Sequence, residues 1–140
     1  MLRRGDYVLC NFPFHGVDGP GPSPHVVLCA ATGREGNTRF AIVFYTTSQI
    51  AYEGARRPRQ YLLVDETKAR TLNQKRAFHV DASRIARLPF TKAYFPGFID
   101  DTIPAIGRDP EFVAKVEERL VELLAAGLAV SKVDHVRKPR

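Results

Sequence analysis

The side chains of this 140-residue chain with chemistry to offer are its histidines, a run of hydroxyls and several groups of cations. His15 and His25 bracket a loop, and two imidazoles that titrate near neutral pH can divide the roles of general acid and general base. The plainer account is that both are polar loop-edge residues. Thr46, Thr47 and Ser48 set three hydroxyls in a row, able to hydrogen-bond an anionic group; they are also an ordinary end to a β-strand. Arg56, Arg57 and Arg59 crowd one segment, Lys75 and Arg76 another, and Arg84 and Arg87 a third. With a net charge of +6, these clusters fit a polyanionic partner, because lysines and arginines gain affinity by releasing counterions from phosphates. Each cluster is equally readable as a solvated face.

Such groups need elements to hold them. Tyr7 to Phe12 is short, β-prone and stopped by Pro13, and reads as a first strand. Phe14 to Pro24 is rich in Gly and Pro and predicts a mobile loop. His25 to Ala31 reads as a second strand, Thr32 to Asn37 as a turn, and Arg39 to Thr46 as a strongly apolar, central third strand. The basic loop Ser48 to Arg59 leads to a strand at Gln60 to Val64, and Lys68 to Leu72 reads as a short helical turn. Phe78 to Val80 and Arg84 to Leu88 read as two later strands, the second turning arginines outward and apolar residues inward. Near the C-terminus the period changes. Asp109 is a good N-cap and Pro110 suits the first helical position; Phe112, Val116, Leu120, Leu123 and Leu124 share one face until Gly127 closes the helix.

Many short strands followed by one long helix argue for a mainly β fold with a C-terminal α-helix, curled as an antiparallel sheet or barrel. At 44% hydrophobic residues the chain can bury one core, so residues 1–130 form a single domain, with 131–140 as a basic, flexible tail. Cys10 and Cys29 lie in apolar strand-like runs away from any Cys-X-X-Cys or Cys/His spacing, which favours buried free thiols; no metal or other cofactor is expected. No segment approaches the roughly eighteen apolar residues of a membrane span, and no secretory signal pattern opens the chain. The expectation is a cytoplasmic protein.

Three motifs in order resemble the PemK/MazF family of toxin endoribonucleases from toxin-antitoxin pairs. These are Arg4-Gly5-Asp6-Tyr7-Val8-Leu9-Cys10-Asn11-Phe12-Pro13, then Pro24-His25-Val26-Val27-Leu28 after a Gly-rich loop, then Phe44-Tyr45-Thr46-Thr47-Ser48. Phe78-His79-Val80-Asp81 with Arg84-Ile85, Ala105-Ile106-Gly107 and the terminal helix are also similar to the family. The resemblance implies an SH3-like barrel that forms a homodimer, binds single-stranded RNA in a groove and cleaves it without metal, and a cognate antitoxin whose acidic segment occupies that groove. It also implies that Thr46, the closer positional match, or Thr47 hydrogen-bonds the scissile phosphate, and that Phe44 or Tyr45 stacks on a base.

One position departs from the family pattern. Where the family carries a catalytic arginine before the proline that opens the second strand, this chain has Ser23, followed by Pro24. A guanidinium offers fixed charge and a forked donor; serine offers neither. Three accounts follow. His25, with His15, takes over the acid-base work beside Ser23; Arg56 or Arg57 reaches in; or the chain keeps the fold and the RNA or antitoxin surface as a non-catalytic binding module. Lys75, Arg76 and Arg84 join Arg56 and Arg57 as expected RNA-binding residues.

Overall fold

A computed structural model describes residues 1–14, 18–49 and 56–137. In chain order the elements are β1 (Asp6–Cys10), β2 (His25–Glu35), β3 (Thr38–Thr47), β4 (Tyr61–Val64), α1 (Glu66–Thr71), β5 (Phe78–Pro89), β6 (Gly107–Arg108), α2 (Pro110–Ala125) and β7 (Ser131–Asp134). The strands form one seven-stranded sheet in the order β4-β5-β3-β2-β1-β6, with β7 also paired to β5. All pairings are antiparallel except that of β7. The chain is therefore mainly β with an antiparallel sheet and a C-terminal helix. Among the described residues no pairing joins β4 to β6, so the sheet stays open rather than closing into a barrel.

The apolar run of β3 is central, as its composition predicts. Flanked by β2 and β5, it buries alternate residues on both faces. Phe44 joins one cluster with Tyr7, Leu28 and Val80, covered by Val113, Val116 and Leu123 of α2. Ala41 and Val43 join the other with Val8, Val27, Cys29 and Phe95. Cys10 and Cys29 are both buried free thiols in this second cluster, and burial pushes the Cys29 thiol up to about 12.

Helix α2 follows its sequence signals closely. The Asp109 carboxylate accepts from the Phe112 N–H, Pro110 opens the helix, and Gly127 lies just beyond it at φ 71°. Its buried face is rotated slightly from the expected one. Val113 is fully buried while Leu124 is 47% exposed.

Three elements depart from expectation. Strand β2 runs on to Glu35, so the turn shrinks to Gly36-Asn37; Gly33, which suggested a turn, instead lies under the Phe40 ring, where a Cβ would come within 2.7 Å of Cζ. The two expected late strands are one continuous β5 carrying a bulge. The basic tail is not loose through its first residues. Strand β7 lies parallel to β5, matching Arg84 with Ser131 and Arg87 with Asp134, and Val133 packs against the second cluster. Arg87 bonds Glu35 at 2.8 Å and Asp134 at 2.9 Å, Arg137 bonds Glu35 at 2.8 Å, and the Tyr94 hydroxyl meets His135 Nδ1 at 2.6 Å. Partners distant in sequence turn what reads as a solvated end into an edge strand. No helix among the described residues is long and apolar enough to cross a membrane.

Candidate active site

The site begins where Pro24 delivers the chain into β2. Proline lacks an N–H and fixes φ near the extended region, so it ends the loop and places His25 as the first paired residue, opposite Cys10. Antiparallel register then sets Val27 opposite Tyr45, bringing the end of β3 alongside the start of β2. Between them opens a cleft of about 290 Å³ lined by Pro24, His25, Tyr45, Thr46, Thr47, Ser48 and Gln49, with Val26, Gln74 and Phe78 completing its wall. The cleft sits at strand ends, so residues from both faces of the sheet reach it.

His25 is half-buried. Its Nδ1 lies 3.5 Å from the Tyr45 hydroxyl and its ring 5.2 Å from the Tyr45 ring. The roles in that hydrogen bond depend on the imidazole tautomer: with the proton on Nδ1, the ring donates to the phenol oxygen and Nε2 is left as an acceptor. Tyr45 also meets the Phe12 ring at 5.2 Å and carries the Arg84 guanidinium 4.4 Å above its ring. A histidine, a phenol and a guanidinium thus share one corner.

The two threonines differ. Thr46 is buried, and its hydroxyl donates to the Val26 carbonyl at 2.5 Å, so its proton is committed to the backbone. Thr47 Oγ1 accepts from the Gln49 N–H at 3.2 Å, and a hydroxyl that accepts keeps its proton to donate. Alternation along β3 explains the split, since neighbouring residues point to opposite faces. Thr46 is the closer positional match to the family motif; Thr47 is the better placed hydroxyl.

Of the other expected residues, Ser23 is exposed and directly precedes Pro24, which lines the cleft. Lys75 and Arg76 are exposed and follow Gln74 directly, on the turn that bounds the cleft. Arg56 is exposed, and Arg57 is close enough for its charge to act on His79, which pairs with Thr47 across the sheet. His15 lies outside the described residues. Arg84 and Arg87 do not form one outward stripe. Arg84 stacks on Tyr45, whereas Arg87 lies 4.7 Å over the Phe40 ring and binds Glu35 and Asp134.

Two ionisable groups of the Phe78-His79-Val80-Asp81 motif are given no site role by the sequence. Asp81 is buried, and its Oδ1 accepts from the Ser83 N–H at 2.9 Å and the Ser83 hydroxyl at 2.5 Å; burial raises its carboxyl above the usual range, while these bonds and the Arg84 charge pull it back. His79 is buried with its ring 5.9 Å from that of Tyr61. Burial, then the Arg57 charge, hold its imidazole below the ordinary value of 6.5. The pattern Phe78-His79-Val80 signals a strand but not which neighbours it meets.

The depressed His79 value predicts an acid-sensitive fold. The unfolded chain binds a proton at His79 near pH 6.5 and the native chain only below that. Its contribution is therefore complete above about pH 6.5 and is lost as pH falls through the native value. The melting temperature is expected to drop between about pH 7.5 and about pH 5.5, and the drop to shrink in His79→Phe. Thermal melts of both proteins across that range check this; an equal drop in the two would place the sensitivity elsewhere.

Among known proteins, no family model and no curated protein matches this chain.

Proposed function

We propose that this chain is the toxin of a toxin-antitoxin pair, an endoribonuclease of PemK/MazF type with an SH3-like fold that cleaves single-stranded RNA at the cleft between β2 and β3. The observation that carries the reading is that His25, Tyr45 and Thr47 line one cleft together with Gln74, the residue directly before the exposed Lys75 and Arg76. With Nδ1–H donating to the Tyr45 oxygen, His25 Nε2 takes the proton from a ribose 2′-hydroxyl, and the 2′-oxygen attacks the adjacent phosphorus. The P–O5′ bond breaks, the imidazolium returns a proton to the departing 5′-oxygen, and the products carry a 2′,3′-cyclic phosphate and a 5′-hydroxyl. Thr47 donates to a non-bridging phosphate oxygen, where charge builds in the transition state. Tyr45 lines the same wall, and its ring carries the Arg84 guanidinium. In this reading the protein is a cytoplasmic homodimer, and an acidic antitoxin segment blocks the basic rim.

A second reading is a non-catalytic module that binds RNA or the antitoxin on the same surface. It is favoured by Ser23, an exposed hydroxyl in place of a guanidinium, and by Thr46, whose proton is committed to Val26. Incubating a mixed single-stranded RNA with the protein in excess chelator separates the two. The nuclease reading expects fragments ending in 2′,3′-cyclic phosphate. Salt-sensitive binding with intact RNA would establish the module instead.

A further inference from the structure

We propose that Arg84 is the phosphate-binding cation of this cleft, held ready by the aromatic rings of Tyr45 and Phe12. The inference rests on the reading of the cleft as a site for single-stranded RNA and names the group that grips its backbone.

The structure contains its own controls. Three arginines among the described residues lie over aromatic rings. Arg39 stacks on Phe90 at 4.7 Å and also holds Asp101 at 2.6 Å. Arg87 stacks on Phe40 at 4.7 Å and holds Glu35 at 2.8 Å. Arg84 stacks on Tyr45 at 4.4 Å and approaches Phe12 at 5.7 Å, yet among the described residues it has no carboxylate in ion-pair contact. Asp81, on which the Arg84 charge acts, gives its Oδ1 to the N–H and hydroxyl of Ser83 instead. The first two guanidiniums are structural clamps. The third is a half-buried cation over an aromatic ring that, among the described residues, has no carboxylate in ion-pair contact.

A guanidinium seated face-down on a ring keeps its N–H donors along the edge, and that fork matches two oxygens of one phosphate. Stacking also removes rotamer freedom before the anion arrives, so less is lost on binding. Tyr45 supports Arg84 through its ring and meets His25 through its hydroxyl, so cation and acid-base group share one support.

The bulge in β5 puts Arg84 there. Tyr45 pairs with Asp81 but Phe44 pairs with Ile85, so residues 82–84 have no partner on β3. In a regular strand two residues three apart point to opposite faces. Here the offset returns Arg84 to the face of Tyr45 and Asp81.

The test uses the full chain and an all-2′-deoxy single strand, which binds but cannot react through a 2′-hydroxyl. Binding is followed by fluorescence anisotropy over a range of salt. Arg84→Gln is expected to lower affinity and flatten the slope of log K against log salt by about 0.7, the share of one phosphate contact on a single strand. Arg84→Lys keeps the slope but, on RNA, cleaves about ten- to a hundredfold more slowly, because a point charge replaces the fork. Arg87→Met serves as the clamp control and leaves the slope unchanged. Binding by the parent protein with the same slope in Arg84→Gln overturns the proposal. Flattening in Arg84→Gln, together with a parent protein that leaves RNA uncut, keeps the Arg84 assignment and removes the nuclease reading. A parent protein that does not bind the strand at all overturns both.

Discussion

Replacing His25 with alanine is expected to lower cleavage of single-stranded RNA by about two to three orders of magnitude, the usual loss when a positioned acid-base group is removed. The imidazole sits at the mouth of the cleft, half-buried, with the Tyr45 hydroxyl on Nδ1, so its other nitrogen is the one that can meet substrate. It belongs to neither hydrophobic cluster, and the melting temperature should shift by only a few degrees. The loss is expected in kcat more than in KM, since the group acts on protons in flight and carries little of the ground-state binding. Thr46→Ala makes the contrast, because that hydroxyl holds the Val26 carbonyl and its loss acts first on the sheet. Cleavage undiminished in His25→Ala would move acid-base catalysis away from β2.

Gly5→Ala is expected to produce the largest loss of stability for the fewest added atoms, about 3 kcal/mol. Gly5 joins three elements. Its N–H donates to Cys29 of β2 at 2.8 Å, its carbonyl accepts from Asp109 at the cap of α2 at 2.9 Å, and β1 begins at the next residue. Its φ of 91° is in the region that penalises any side chain. A Cβ there would sit 2.4 Å from the Pro110 nitrogen and 2.5 Å from its Cα, backbone atoms that cannot swing aside. Gly19→Ala is the natural control, with φ 92° but nothing within 4 Å of the added carbon. Urea denaturation of both variants checks the difference. Equal midpoints would mean that conformation alone, not contact with α2, sets the cost.

How far the fold can be read from the chain depends on how many signals agree. Helix α2 carries a capping aspartate, a proline at its first position, an apolar stripe and a closing glycine, and its bounds follow. Strand β3 carries one strong signal, an apolar run too long for a one-sided strand, and is central. Where one residue type supports two outcomes, the reading divides. Gly33 suggests a turn but lies flat under Phe40; Arg87 and Arg137 look solvated until Glu35 comes within 2.8 Å of each. The candidate site shows the same division. His25, Tyr45 and Thr47 were placed by register, which follows once β2 and β3 form a hairpin. The position of Arg84 depends on a bulge that nothing in Ala82-Ser83 announces.

That bulge also divides β5 mechanically. On one side of it residues 78–81 ladder with both β3 and β4; on the other, residues 85–87 ladder with β3 and β7. A run of hydrogen bonds transmits strain only while it is unbroken, and at residues 82–84 the ladder to β3 is interrupted. The half of the strand that walls the cleft is therefore tied to the sheet through β3 and β4, and the half beyond the bulge through β3 and β7.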